Sequence, residues 1–317
     1  MLKPVALLAE CSKKVGSGHA VQTWQLTRFL GRTPWRAYLS AETPPDLFRR
    51  FGRRAHRLND FTPRSLEHLG AGLAREGIRS VFLNFLRLST AQTAALARRG
   101  LKVGAVTVSG PVPDRCIFHR RSVADLVLAP EFARLARRPR VHRGPVKNLL
   151  IVMGGTDVSG STVAVIGALA GRFPGMNKHV VQGPNFARPA ELRAALKKTS
   201  DSSFRLYRDL PSLAPLMRRC DAAFTLGSNT SLELACLGTP MIFMHEAPHE
   251  LRQARLMARR GCGIFLGTAS AINTGRVARA MARMDQAGFR GRCARAGARF
   301  VDGRGGERLA RDIRRFL

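Results

Sequence analysis

The residue best placed to do acid–base chemistry is a histidine that follows a glycine turn, in Gly16-Ser17-Gly18-His19. The apolar stretch PVALLA lies just before this turn, and a helical period begins at Ala20. A strand, a glycine turn and a helix in that order present unpaired N–H groups to an anion. They also bring the turn to the carboxyl end of a sheet, where open α/β sheets bind ligands. Gly16 and Gly18 allow the turn and a close backbone approach. A histidine there can take or give a proton near neutral pH; capping its own helix is the competing use. The spacing is not a dinucleotide fingerprint, because Val21 stands where G-x-G-x-x-G has its third glycine.

A second constellation is richer. Asp221 to Met244 reads DAAFTLGSNTSLELACLGTPMIFM, a strand, a small polar loop, a helix, a Gly-x-Pro turn and a strand. Ser228, Asn229, Thr230 and Ser231 gather hydroxyls, an amide and free N–H groups at a helix N-terminus, a cradle suited to a diphosphate. Glu233 is expected within the first helical turn, where its carboxylate either reaches out to a ribose diol or serves only the helix dipole. A weaker signal is Gly154-Gly155-Thr156-Asp157, a turn feeding a helix from about Ser159, in which Gly155 lets a diphosphate or a sugar approach the backbone.

His245-Glu246-Ala247-Pro248-His249 spells the H-E-x-x-H of zinc proteases, but that chemistry needs both histidines on one helical face. Here the segment leaves the strand PMIFM, and Pro248 removes a backbone donor inside the turn. It reads as a loop followed by a helix from Glu250 to Arg260, with no metal and no cofactor expected.

The elements that must hold these residues follow from the apolar pattern. PVALLA, RAYLS, SVFLNF, KVGAVTV and DLVLA read as strands in the first half, with helices over Ala20–Leu30, Arg64–Arg75 and Thr90–Arg99. The basic, proline-bearing segment Ala136–Asn148 reads as a linker. After it NLLIVMGG, HVVQG, FRLY, AAFTL, PMIFM and GIFLG alternate with helices, and from Asn273 the chain is helical with a break at VDGRGG. With 317 residues, this predicts an α/β protein of two Rossmann-like domains, 1–140 and 148–317, with parallel sheets facing a central cleft and the last helices crossing back.

The formal charge is +32, from 53 basic and 21 acidic residues, and only eight of the basic residues are lysines. The arginines are spread along the chain and the aromatics are not interleaved with them, which disfavours a nucleic-acid partner. Weak contact with an anionic membrane surface fits better. Its candidate is Asp46–Arg57, where Leu47, Phe48 and Phe51 can share a helix face beside five arginines; the commoner use of such a segment is to bury its phenylalanines in its own domain and leave the arginines solvated. No apolar run is long enough to span a membrane. The six cysteines stand singly and read as reduced structural thiols. A cytoplasmic protein, peripheral at the inner membrane face where its arginines meet anionic lipid, is the expectation.

The motifs in this order resemble the GT-B group of nucleotide-sugar enzymes. Within it the chain is most similar to the UDP-sugar hydrolase of pseudaminic acid biosynthesis and its spore-coat-polysaccharide relatives, and more distantly to the peptidoglycan N-acetylglucosaminyltransferase. GSGH, LVLAPEFARL, LLIVMGGTD, the run from LPSLAPLMRRC to PMIFM, and VDGRGGERLA carry the resemblance. It implies a UDP-sugar substrate held by the second domain, with Thr230 and Ser231 at the diphosphate and Glu233 at the ribose. His19 would activate the water that displaces UDP, in bacterial surface-glycan biosynthesis. The chain departs from that pattern at Gln22, where the family has an arginine, and at Asn84-Phe85-Leu86, where it has D-x-Y. It departs again at Val108-Ser109 in place of an acidic pair, and at His249-Glu250 in place of an Asn-Gln pair on the sugar side. A glycosyltransferase with a sugar, protein or lipid acceptor is the first alternative; a nucleotide-binding protein that has lost catalysis is the second.

Overall fold

Strands and helices alternate along the chain, and the strands pair into two parallel sheets of six. The computed structural model describes residues 3–12, 17–107, 116, 118–120, 127–136, 142–183 and 185–316. Gly16 of the first motif, Val108-Ser109 and part of the expected linker lie outside them. The chain divides into two compact units, residues 1–130 with 303–317, and residues 131–302.

The first unit holds β1 (Val5–Ala9), β2 (Trp35–Ser40), β3 (Ala55–Leu58), β4 (Ser80–Phe85), β5 (Lys102–Thr107) and β6 (Phe118–Arg120), in the order β3-β2-β1-β4-β5-β6. β1 and β4 are buried at every position, as continuous apolar runs in a parallel sheet covered on both faces should be. Helices α1 (Gly18–Thr27), α2 (Pro45–Arg50), α3 (Pro63–Arg75) and α4 (Thr90–Ala97) connect them. Local chemistry sets their starts. Thr62 Oγ1 accepts from Ser65 N with Pro63 next in line, and Ser89 and Gln92 form a reciprocal capping box. Because β2 and β3 extend to one side of β1 and β4 lies on the other, the topology reverses between β1 and β4, where this fold class binds ligands.

Two expectations are corrected here. Asp46–Arg57 is not one amphipathic helix: α2 ends at Arg50, a short 3-10 turn spans Gly52–Arg54, and β3 follows. Leu47 and Phe51 are buried and Phe48 packs on the same core cluster. The arginines lie over rings, Arg57 4.2 Å from Phe48, Arg54 4.9 Å from Trp35 and Arg50 5.0 Å from Trp24. Of the two uses named for this segment, the structure shows burial of the phenylalanines in their own unit, and the core has taken up the apolar side that a lipid surface would need. DLVLA is not a strand over its described residues, Val127–Ala129, which are buried but irregular and lead into α5 (Pro130–Ala136). The sixth strand is β6, which pairs with β5.

The second unit repeats the plan with β7 (Asn148–Ile151), β8 (Asn177–Val181), β9 (Phe204–Tyr207), β10 (Ala222–Leu226), β11 (Met241–His245) and β12 (Gly263–Thr268), in the order β12-β11-β10-β7-β8-β9. Its helices are α6 (Ser161–Leu169), α7 (Pro189–Thr199), α8 (Ala214–Arg219), α9 (Asn229–Cys236), α10 (Pro248–Arg259), α11 (Thr274–Met284) and α12 (Ala287–Phe300). The reversal now falls between β7 and β10, which pair directly, Leu149 with Ala222 and Ile151 with Phe224. The last helix, α13 (Gly305–Phe316), returns to the first unit and packs on α1. Arg314 Nη1 donates to the Phe29 carbonyl at 3.0 Å. A Cβ on Gly306 would come within 2.5 Å of the Phe29 ring, so a larger residue there would have to displace that ring.

Candidate functional site

In the first unit, the register pairs Ala9 of β1 with Asn84 of β4. Asn84 thus ends up under the first turn of α1, where His19 is 6% exposed. The Asn84 Nδ2 donates to the His19 carbonyl at 3.1 Å, to Thr23 Oγ1 at 3.2 Å and to Gln22 Oε1 at 3.3 Å. A backbone carbonyl can only accept, so this end of the amide is its NH₂. The opposite oxygen, 2.9 Å from His19 Nδ1, is therefore the acceptor. The neutral imidazole accordingly carries its hydrogen on Nδ1 and a lone pair on Nε2. Asn84, Gln22 and Thr23 are all buried, and the shared network fixes the ring's orientation.

Nε2 lies 4.0 Å from Oε1 of Glu10, the residue that follows β1. Glu10 Oε1 also accepts from the Leu86 N–H. Burial pushes the Glu10 carboxyl above the usual carboxylate range, against the opposing pull of that N–H. The sequence reading did not single out Glu10. Its signal is a lone acid ending a fully apolar strand just before a glycine turn. Gly18 is the first residue of α1 and Ser17 its N-cap, with no side-chain cap bond.

The second unit brings three strand–helix turns together at the carboxyl ends of β7, β10 and β11. The turn after β7 is held from two sides. Gly154 adopts φ +82° and Asp157 φ +44°. The Gly155 and Thr156 carbonyls accept from Asn185 N at 3.1 Å and Ala187 N at 2.8 Å. A Cβ on Gly183 would strike the Gly154 and Gly155 carbonyl oxygens at 2.6 Å, so the bracing loop needs glycine there. The Asp157 carboxylate accepts from Ser161 N at 2.7 Å and Thr162 N at 2.9 Å, closing the N-terminus of α6. Glu246 adds a second acid, accepting from Ser161 Oγ and, at 3.4 Å, from Ser159 N. Burial is the main cause raising its pKa, and the Asp157 and Glu250 carboxylates push the same way. The α6 terminus is already filled with negative charge.

The start of α10 is closed as well. Glu250 Oε2 accepts from Glu246 N at 2.8 Å and Ala247 N at 3.2 Å. Glu250, named above for the sugar side, is thus a buried cap of its own helix, while His249 stays half-buried beside it. His245 ends β11 and His249 lies on α10, so the pair does not share a helix face.

The start of α9 differs. Ser228 is its N-cap, makes no side-chain cap bond, and no acid lies in the first turn. The Ser228 hydroxyl is shielded from solvent and has no hydrogen-bond partner among the described residues. It points toward the glycine turn, 3.9 Å from where a Cβ on Gly154 would stand. Asn229 and Thr230 open the helix, the first half-buried and the second 9% exposed. Ser231 is fully buried: its Oγ donates to the Ser228 carbonyl at 2.6 Å and accepts from Gln253 Nε2 at 2.9 Å. Its hydroxyl is turned inward, away from the place the sequence reading gave it. Gly227 completes the turn, since a Cβ there would meet the Glu250 carbonyl at 2.3 Å.

Glu233 is the fifth residue of α9 and lies beyond the first turn, one step later than the spacing suggested. The residue keeps some surface, but its carboxyl is crowded by protein. That loss of hydration, with the Glu131 carboxylate as the smaller cause, pushes its pKa up to about 8. Glu131 lies on α5 and accepts from Ser212 Oγ at 3.4 Å.

Known structures share this architecture along the whole chain. MurG of Acinetobacter baumannii superposes with a TM-score of 0.75 at 11% identity, over 99% of each chain. CalG4, the calicheamicin glycosyltransferase, gives 0.69 at 13%, over 100% of this chain and 98% of that one. MnaA of S. aureus in complex with UDP gives 0.65 at 12%, over 100% and 97%. Two parallel units with this strand order and these neighbours define the GT-B fold. In sequence, the chain is 25% identical over 184 residues to the spore coat polysaccharide biosynthesis protein SpsG of Bacillus subtilis, 57% of this chain and 53% of that protein. It is 32% identical over 124 residues to an uncharacterized protein of Methanocaldococcus jannaschii, 38% of this chain and 26% of the other. The chain thus spans about half and about a quarter of these curated relatives. No family model matches it. Among the described residues, no helix is long and apolar enough to cross a membrane.

Proposed function

We propose that the chain is a nucleotide-sugar enzyme that displaces a UDP-type leaving group from the anomeric carbon of a sugar, with water as the nucleophile. The observation that carries this reading is the open N-terminus of α9, with its unpartnered Ser228 hydroxyl. The termini of α6 and α10 are closed by Asp157 and Glu250, so of these three helix starts it is α9 that offers an incoming diphosphate N–H groups and a waiting donor. Thr230 and Asn229 flank it, Gly155 leaves space at its side, and Ser231 supports the turn from within. Glu233 is assigned to the ribose. A carboxyl with a pKa near 8 is protonated at neutral pH, and donates as well as accepts toward a diol.

His19 supplies the base. With its hydrogen held on Nδ1 by Asn84, Nε2 takes a proton from water as the water oxygen bonds to the anomeric carbon. The bond from that carbon to the diphosphate oxygen breaks, and its electron pair leaves with the nucleotide. A positioned base of this kind is worth about 10²–10⁴-fold. One observation favours the second reading, a glycosyltransferase in which an acceptor hydroxyl replaces water: Glu10, the neighbour of Nε2, lines a cavity of about 530 Å³, within the size range of ligand pockets.

The test is turnover of UDP-sugars, read as UDP release with and without added acceptors. His19→Ala should lower turnover by about 10²–10⁴-fold and leave UDP affinity unchanged. Intact turnover in that variant would contradict the role of His19, and acceptor-dependent release would select the transferase.

A further inference from the structure

Three consecutive helices of the second unit repeat one arginine spacing. Arg292, Arg295 and Arg299 lie on α12, and Arg276, Arg279 and Arg283 on α11. Arg252, Arg255 and Arg259 lie on α10. Residues three and four apart are neighbours on a helix surface, so each set forms one stripe, and all nine residues are exposed. Like charges at this spacing destabilise a helix, and an ordinary solvated face interleaves them with acids. Here Glu250 is the single acid in the three helices, and it is the buried cap of α10. Asp285 and Asp302 lie outside them, and Asp285 Oδ1 accepts from Val146 N at 2.9 Å. Among the described residues, none of the nine arginines is ion-paired.

The stripes adjoin one another. A Cβ on Gly261, just past α10, would stand 3.8 Å from that of Ala296 on α12, and Arg260 lies 5.4 Å from the Phe300 ring. Arg283 and Arg292 lie 4.5 and 5.8 Å from the Phe289 ring, so one ring gathers guanidiniums from α11 and α12. The inner side of α12 is packed on α9, where a Cβ on Gly297 would come 3.0 Å from the Ala235 carbonyl oxygen. The shared end of α10 and α11 lies at the amino ends of the strands, since α10 leads into β12 and Asp285 after α11 holds the chain entering β7. The start of α9 lies at the other end of the same strands.

We infer that the arginine face of α10, α11 and α12 docks the second unit on an anionic lipid bilayer by charge alone. The inference goes beyond the nucleotide-sugar reading and stands on separate residues. Guanidinium forks match the phosphate oxygens of lipid headgroups, and a face spread over three helices suits a flat surface. Among the described residues Val158 is the exposed large apolar side chain, and it lies on none of these helices, so nothing here wedges into the hydrocarbon. Phe289 and Phe300 are half-buried beside guanidiniums and do not offer the stacking platform that a single-stranded nucleic acid needs. Each arginine brought to an anionic leaflet adds about fivefold to affinity. Docked this way, the start of α9 faces away from the lipid.

The experiment is co-sedimentation of the full chain with vesicles of phosphatidylcholine alone and with about one third phosphatidylglycerol. The chain should bind the anionic vesicles and not the neutral ones, and added salt should release it. Arg292→Gln, Arg295→Gln and Arg299→Gln together should weaken binding by about 10²-fold and leave UDP affinity unchanged. The same three changes at Arg276, Arg279 and Arg283 should do as much, which keeps the test open if one triple variant does not fold. Arg53→Gln, Arg64→Gln and Arg75→Gln together remove equal charge from exposed positions of the first unit and should weaken binding less than about fivefold. No binding to the anionic vesicles, equal losses in the α12 and first-unit variants, or tighter binding to RNA than to the vesicles would overturn the inference. A loss of UDP affinity in both second-unit variants would overturn it as well, by joining this face to the nucleotide site.

Discussion

Asn84 Oδ1 lies 2.9 Å from His19 Nδ1, across 65 residues of sequence. The contact fixes which nitrogen of the imidazole carries hydrogen, and it does so with a neutral group. Replacing the amide by a carboxylate gives up the NH₂ bonds to the His19 carbonyl and Gln22, keeps an acceptor facing His19 Nδ1, and adds negative charge beside the ring, which stabilises the imidazolium. Asn84→Asp should therefore move the acid limb of the kcat–pH profile to higher pH, because the base must be unprotonated to act. Asn84→Leu should remove the tautomer control and leave the His19 ring unheld, lowering kcat with a smaller change in KM. A pH–rate profile of the two variants decides this; an unshifted limb in Asn84→Asp would contradict the pairing.

Ser228 carries a sharper contrast. Its hydroxyl has no partner among the described residues, so Ser228→Ala should leave thermal stability unchanged or slightly raised. The same change should weaken UDP binding by about tenfold or more, since a hydrogen bond to a charged group is worth about 1.5–3 kcal/mol. Calorimetry and a melting curve on one variant separate the two effects. A loss of stability with no loss of affinity would make Ser228 structural.

Glu233 has a pKa pushed up to about 8 against an ordinary value of 4.5. Between those values the folded protein binds a proton that the unfolded chain has released, so stability falls as pH rises from about 4.5 to about 8. Glu233→Gln removes this titration. The variant should gain thermal stability over the parent progressively across that range, most at pH 8 and above, while losing UDP affinity. Parallel melting curves for parent and variant from pH 5 to 9 would refute the buried carboxyl.

Asp201 is the opposite case. Burial works against its ionisation, but the Ser203 hydroxyl and N–H and the Lys178 ammonium outweigh this and hold its pKa down at about 2. Lys178 itself is buried, with Nζ 3.1 Å from the carboxylate and 2.7 Å from Ser203 Oγ. The stability this group contributes is present above pH 4 and is lost as pH falls toward 2. Asp201→Asn should destabilise the second unit at neutral pH by leaving a buried ammonium without its counter-ion, and the deficit should shrink in acid. A deficit that grows on acidification would contradict the assignment.

The parallel alternation was legible because central strands such as β1, β4 and β10 are apolar at nearly every position, and burial on both faces demands that. β3 and β6 were not, since AHRL and FHR carry charge and lie at sheet edges, where one side alone is paired. Edge strands tolerate such sequences. The helix starts were partly legible. Glu250 stands three residues after the N-cap Ala247, a capping position that a reading for sugar contacts passed over. The link from Asn84 to His19 depends on strand order and register, which no local pattern encodes, and so Asn84 read only as a departure. Glu10 and Ser228 are single polar residues at strand ends; their importance comes from what surrounds them.

The central claim is that α9 receives the nucleotide's diphosphate, and a crystal structure of the chain soaked with UDP tests it most directly. The account predicts phosphate oxygens within hydrogen-bond distance of Ser228 Oγ and of the first N–H groups of α9, with the ribose toward Glu233. Phosphates at the start of α6 beside Asp157, or no bound nucleotide at saturating UDP, would contradict it.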